Sequence, residues 1–336
     1  MAPPRDRPIY FDTAATTRVA PEVMAAMVQV LEDPFLFANP SSAEHGLGRQ
    51  VAAVVDQARA AIAAELACET DGVIFTSGAT ESINLALRGV ALSYAAHGRH
   101  IVTSMIEHKA TLACCAALER NGFSVTYLAP SAGGIVSPQA VANALQPDTL
   151  LVSIMHTNNE TGAMQPIEAI ATMAAERGVL LHVDAAQAAG KFPINLTRTP
   201  IDLLSFSAHK FHGPKGIGCL AIRDRRRLRL EPLAYGGEQE FGLRPGTLPT
   251  HQIVGLALAM TLAAARREGD IKHISSLRAQ CVEALSHKLG ASIHGDPDCA
   301  SPYILNFAIP GIRSSALINQ TAAEIAIASG SACSSG

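Results

Sequence analysis

Between residues 72 and 222, seven short apolar runs recur, separated over most of that span by stretches of helical character. They are "GVIFT" (72–76), "HIVTSMI" (100–106), "FSVTYL" (123–128), "TLLVSIM" (149–155), "VLLHVD" (179–184), "IDLLSFS" (201–207) and "GIGCLAI" (216–222). The runs are near-continuous in β-branched and leucine residues rather than alternating. Strands of that kind are covered on both faces. Strands interleaved with helices build a mostly parallel α/β sheet. In such a sheet ligands sit beyond the carboxyl ends of the strands, so the residues that follow each run are where chemistry is expected.

After Arg244 the character changes. An alanine-rich helix over about 250–268 leads into shorter elements ending in "YILNFAIPG" and "IAIASGSACSSG". The expected organisation is a large domain over 17–250 and a smaller α/β domain made of 1–16 with 251–336. Apolar content of 48% against 16% charged fits an enzyme with a large core. A net charge of -3 gives no bulk affinity for nucleic acid. The start "MAPPRDRPIY" has no apolar core of a signal peptide. The longest apolar stretch, "IVGLALAMTLAAA", is shorter than a bilayer requires. A cytoplasmic location without membrane contact is expected. Seven cysteines form no C-x-x-C pair, which argues against a disulfide framework or a zinc site, and no metal site is expected. The basic run "RDRRRLR" (223–229) reads as a solvated connection rather than a docking patch.

The polar residues of interest follow the strands. "TSGATES" (76–82) places Gly78, Ala79 and Thr80 at the start of a helix, either as a phosphate cradle or as a plain helix cap. Asp184 ends "HVDAAQ", where a buried carboxylate needs a cation or donors, and Gln187 lies one helical turn on. Alone, Asp184 reads first as a helix cap. "HTNNETG" (156–162) brings amides including Asn159, which also suit a turn, and "IEHKA" brings His108. "SFSAHKFHGPKG" ends a buried run with Ser207, His209 and Lys210. The chain has only six lysines against twenty arginines, and lysine is the residue needed where an amine must lose its proton and attack a carbonyl. Together these form a set matched to pyridoxal phosphate, which has a phosphate, a pyridinium, a phenolic oxygen and an aldehyde.

On "IYFDTAATT", "FTSGATESINLAL", "EHKATL", "SIMHTNNETG", "HVDAAQAAGK", "SFSAHKFHGPKGIG", "LRPGTLPTHQIVG" and "SGSACSS", in that order, the chain resembles cysteine desulfurases of the iron–sulfur-cluster type. These are class V aminotransferases among the fold-type I pyridoxal-phosphate enzymes. The resemblance implies a mostly parallel seven-stranded sheet. It implies that Lys210 holds the cofactor covalently, that His108 stacks on its ring, that Asp184 pairs with the ring nitrogen and that Gln187 bonds the phenolic oxygen. Ala79, Thr80, Ser207 and His209 would hold the phosphate, and Asn159 would contact the bound substrate. Thr247 would reach the phosphate of a neighbouring subunit, which implies a homodimer. Cys333 would take sulfur from L-cysteine as a persulfide, releasing alanine, and pass it to a protein acceptor such as an iron–sulfur scaffold or a thiolation protein. Small residues around Cys333 suit a mobile sulfur carrier.

Two departures stand out. Relatives commonly have arginine where this chain has Phe241, so an aromatic is expected near the cofactor mouth. Relatives also continue for some tens of residues beyond the cysteine loop and hold the substrate carboxylate with an arginine there. The chain as given is therefore expected to be an incomplete form that binds pyridoxal phosphate but binds cysteine weakly. The rival readings are a selenocysteine lyase or aminotransferase on the same scaffold, neither of which explains Cys333 as well, and a non-catalytic sulfur-transfer scaffold, which has no use for Lys210, Asp184 and His108 together.

Overall fold

A computed structural model describes residues 7–330. The first part of the chain runs β1 (Ile9–Tyr10), α1 (Pro21–Glu32), α2 (Gly46–Leu66), β2 (Val73–Thr76), α3 (Ala79–Tyr94), β3 (His100–Ser104), α4 (Lys109–Arg120) and β4 (Ser124–Leu128). It continues through α5 (Pro138–Ala144), β5 (Thr149–Met155), α6 (Ile167–Glu176), β6 (Leu180–Asp184), β7 (Leu203–Ser207) and β8 (Gly218–Ile222). The remainder is α7 (Thr250–Leu289), β9 (Ser292–Ile293), β10 (Phe307–Ala308), α8 (Ser314–Thr321) and β11 (Ile325–Ala326).

The seven apolar runs form one seven-stranded sheet in the order β2-β8-β7-β6-β5-β3-β4. β8 alone runs against its two neighbours; the rest are parallel, as the sequence implies. Side chains along each strand point alternately to two apolar layers. Phe75, Val102 and Phe206 pack with Val55 and Ile62 of α2, Ile170 of α6, and Ile253 and Leu256 of α7. Ile74, Ile101 and Leu220 pack with Ile83 and Leu87 of α3 and Cys115 and Leu118 of α4. Both faces are thus dry, which is why the strands are not patterned.

α7 is longer than the sequence reading, at 40 residues, or about 60 Å at the helical rise. Its buried positions all lie between Thr250 and Met260. Gly269 lowers propensity by only about 1 kcal/mol relative to alanine and does not end the helix. The stop is Gly290, in the left-handed conformation at φ 60°.

β1 pairs in parallel with β11, tying the start of the chain to its last described strand. From β1 the chain crosses the carboxyl end of the large sheet. There the amide and hydroxyl of Thr17 donate to the carbonyl of His209, and the amide of Ala20 donates to that of His212. The 223–227 arginines are pinned by carboxylates: Arg223 by Asp202 at 2.6 Å, Arg225 by Asp71 at 3.2 Å and Arg227 by Asp224 at 3.3 Å. Among the described residues no helix is long and apolar enough to cross a membrane.

Candidate active site

A cavity of about 390 Å³ opens where the parallel strands end. Its wall is built from the segments that follow β2, β3, β5, β6 and β7, with the N-terminal crossing as a cover. Ala79, Thr80, His108, Asn159, Asp184, Gln187, Ser207, His209 and Lys210, all singled out from sequence, line it.

One end is suited to an anion. α3 starts at Ala79 with Gly78 as its N-cap, and no side chain caps it. Its first amides and the positive end of its dipole are therefore turned toward the cavity. Gly78 has φ 154°, a conformation that L side chains rarely adopt, and a Cβ there would stand 3.6 Å from Ser207 Oγ. The one carboxylate in the first turn, Glu81, is folded back, accepting from Ser77 N at 2.7 Å and from Arg244 Nε at 3.1 Å. Burial works against its charge, but Ser77 and Arg244 outweigh burial and hold its carboxyl below the usual range.

The centre of the cavity holds the titrating groups. Asp184, only 4% exposed, accepts from Ala186 N at 2.9 Å. Burial pushes its carboxyl up, while Ala186 N–H, His108 and Lys210 pull it back. A carboxylate so placed calls for a cation in the cavity. His108 is the N-cap of α4, and its Nδ1 accepts from Ala110 N at 3.1 Å. Burial lowers its imidazole, so the neutral ring carries its proton on Nε2. Lys210 sits on a single 3₁₀ turn (Ala208–Lys210) directly after β7. Its Nζ donates to the carbonyls of Ala14 at 2.6 Å and Ala15 at 3.0 Å. His209 hydrogen-bonds Thr16 Oγ1 at 3.1 Å, and burial, then Lys210, pushes it down to about 4.

Thr247 does not line this cavity; it is exposed on the connection that leads into α7. Cys333 lies outside the described residues. Phe241 corrects an expectation: it does not reach the cavity mouth but stands between two guanidinium groups, 4.3 Å from Arg225 and 5.5 Å from Arg59.

Sequence reasoning missed Asp12, Ala14 and Ala15, which cover Lys210 from the N-terminal crossing. It also missed Glu107, a buried carboxyl that accepts from Ser104 Oγ at 2.7 Å and Met155 N at 2.9 Å and so ties the His108 loop to two strands. Its place beside a candidate histidine was the available signal. Asn158, next to Asn159, is structural: its Oδ1 accepts from the amides of Glu160 and Thr161, and its Nδ2 donates to the carbonyl of Ile106.

An uncapped helix start, a buried carboxylate facing the cavity and a lysine at a strand end fit pyridoxal phosphate. Residues 9–335 match the family described as aminotransferase class-V. The chain is 45% identical over 328 residues to the cysteine desulfurase IscS of Vibrio vulnificus strain YJ016, spanning 98% of this chain and 81% of that protein. A solved NifS-like protein superposes with a TM-score of 0.91 at 39% identity, covering 96% of this chain and 87% of the other. A structure described as SspA in complex with cysteine superposes with a TM-score of 0.83 at 40% identity, over 97% and 90% of the two chains. The fold, the strand-end cavity and these similarities agree: the chain belongs to the class-V aminotransferase family, in its pyridoxal-phosphate-dependent cysteine desulfurase branch.

Proposed function

We propose that this cavity converts L-cysteine to L-alanine, with Lys210 as the covalent anchor of pyridoxal phosphate. The observation that carries the reading is the convergence of Lys210, Asp184, His108 and the start of α3 on one cavity. That a similar structure is described with cysteine supports the substrate. When bound, the cofactor supplies an electron sink for cleaving the bond between the substrate's β-carbon and its sulfur.

The chain's own residues do the rest. Ala79, Thr80, Ser207 and His209 hold the phosphate, with Thr247 of a second subunit completing the site in a homodimer. Asp184 offers its charge to the ring nitrogen, and Gln187 offers a donor to the phenolic oxygen. Asn159 contacts the substrate. Lys210 Nζ takes the α-proton of the substrate and returns it. Proton exchange at His108 runs through Nε2, because Nδ1 is engaged by Ala110 N–H. The thiolate of Cys333 attacks the substrate sulfur, the carbon–sulfur bond breaks, and the sulfur remains on Cys333 as a persulfide. A protein thiolate, on an iron–sulfur scaffold or a thiolation protein, then accepts it in the cytoplasm. Gly330, three residues before Cys333, lines the cavity. Three residues of chain span at most about 10 Å, which supports this role for Cys333. The large unit over 17–250 would carry the cofactor, and 1–16 with 251–336 would form the smaller unit.

Borohydride reduction of the yellow holoenzyme should leave the cofactor on Lys210 in the peptide map. With cysteine and a thiol reductant the enzyme should release alanine and sulfide in equal amounts. Trapping on Lys191 or Lys215 would overturn the assignment. A monomer with full activity, or a Thr247→Ala variant with unchanged cofactor affinity, would overturn the shared site.

A further inference from the structure

We propose that Lys191 is a positioning residue for the cofactor: it holds the side-chain amide of Gln187 with its donor end toward the cavity. This rests on the reading of Lys210 and Gln187 given above.

The geometry leaves one orientation for the amide. Lys191 Nζ lies 3.0 Å from Gln187 Oε1 and donates to it, so the oxygen end faces Lys191. On the other side Gln187 Nε2 donates to the carbonyl of Ala14 at 2.8 Å, and a carbonyl can only accept. Both Gln187 and Ala14 line the cavity, whereas Lys191 is outside it. The N–H₂ end is therefore the end available to an oxyanion, such as the cofactor's phenolic oxygen. Without Lys191 only the Ala14 carbonyl opposes a turned-over amide, whose oxygen would repel that group.

Lys191 is held in place by the turn after β6. Its amide donates to the carbonyl of Ala188 at 2.9 Å, and its ammonium stands 5.6 Å from the ring of Tyr303. Gly190 lets this turn pack on the residue after Lys210, since a Cβ on Gly190 would fall 2.7 Å from Phe211 Cγ. The turns carrying Lys191 and Lys210 are therefore packed directly against each other.

Enclosure of the Lys191 amine, reinforced by repulsion from Lys210, pushes it down to about 7, so the amine is largely uncharged above that pH. The other charged or titrating groups around the pair are Asp12, Asp184 and His108, which interact with Lys210, and His209, which feels Lys191 and Lys215. The neutral amine can still donate to Gln187, and the Ala14 carbonyl keeps the amide in the same sense.

The test uses full-length apoenzyme titrated with pyridoxal phosphate. Lys191→Met should weaken cofactor affinity about tenfold. Lys191→Arg keeps donors and offers no acceptor, so it should hold affinity within about threefold. Lys191→Gln offers an acceptor as well as a donor and no longer fixes the amide, so its loss should lie between the two; it also serves if the methionine variant does not fold. On a Gln187→Met background, Lys191→Met should cost almost no further affinity, because the two act through one contact. Unchanged affinity in Lys191→Met, equal losses in the arginine and methionine variants, or additive losses with Gln187→Met would each overturn the proposal. Borohydride trapping in the same variants keeps the two readings apart. Cofactor on Lys210 with unaltered binding sinks this inference alone, and cofactor on another lysine sinks the reading beneath it.

Discussion

Glu240 accepts two hydrogen bonds from Arg59, at 2.9 and 2.6 Å, and a third of 2.6 Å from the backbone amide of Phe75 in β2. Both side chains are buried, at 4% and 7% exposure. Glu240 and Phe241 have φ of 49° and 58°, conformations that cost non-glycine residues about 1–3 kcal/mol each unless the surroundings hold them. The ion pair is the clamp. It also fixes β2 just ahead of the uncapped start of α3.

Removing one partner strands the other. Glu240→Ala is expected to lower stability by about 3–5 kcal/mol, because Arg59 is left buried and unpaired. Glu240→Gln should cost less, since it still accepts from Phe75 N. Denaturant midpoints of the apoenzyme measure both. Equal midpoints for wild type and Glu240→Ala would show that water or another group replaces the carboxylate.

The sheet was legible in the sequence because its strands are buried on both faces, so Ile74 and Phe75, which serve opposite layers, are both apolar. The strand-end residues were legible for the same reason: where a dry run ends in Asp184 or Lys210, the polar group has to be at the sheet's edge. What was not legible depends on contacts remote in sequence. Ala14 meets Lys210 across 196 positions, and nothing about an alanine announces a carbonyl that covers a lysine. The full length of α7 was missed because its second half carries no buried stripe to mark it as helix. Phe241 was misplaced because the left-handed turn that carries it away from the cavity is unusual for Glu and Phe and has no pattern.

Glu107 makes stability depend on pH. Burial pushes its carboxyl up to about 8, ahead of the opposing pull of Ser104 Oγ and Met155 N, and Asp184 pushes the same way. Its Oε2 is buried without a partner among the described residues. Folded protein thus keeps a proton that the unfolded chain loses near the ordinary glutamate range of about 4.3. The stabilising contribution is fully present below that range and drains away as pH rises through about 8. Glu107→Gln preserves the acceptor for Ser104 and Met155 and cannot ionise. Its unfolding midpoint should fall less than that of wild type between pH 5.5 and 8.5. Parallel curves for the two proteins would mean that Glu107 is already ionised when folded.

Cys333 tests the sulfur path. Cys333→Ala should bind pyridoxal phosphate with wild-type affinity and spectrum and still respond spectrally to cysteine, yet release no sulfide under thiol reductant. Three of the other cysteines are ill suited to that role: burial pushes the thiols of Cys68 and Cys114 up to about 11 and that of Cys115 to about 12, so their thiolate fraction is negligible near neutrality. Undiminished turnover in Cys333→Ala would move the acceptor thiol elsewhere.

Two glycines should respond in opposite directions to the same added methyl group. Gly190 has φ 75°, and a Cβ there would meet Phe211 Cγ at 2.7 Å and Phe211 Cβ at 2.8 Å. Gly190→Ala therefore combines backbone strain with overpacking, and a loss of about 2–4 kcal/mol is expected. Phe211 follows Lys210 directly, so the displacement should also reach the cofactor site and weaken pyridoxal phosphate binding. Gly269 lies inside α7, where a Cβ meets nothing within 4 Å. Gly269→Ala should raise stability by about 0.5–1 kcal/mol through helix propensity, with cofactor affinity unchanged. Denaturant midpoints and cofactor titrations of the two variants, measured side by side, separate a general tolerance of alanine from the specific fit under Phe211. A Gly190→Ala protein with wild-type midpoint and affinity would show that the turn carrying Lys191 is free to move independently of Lys210.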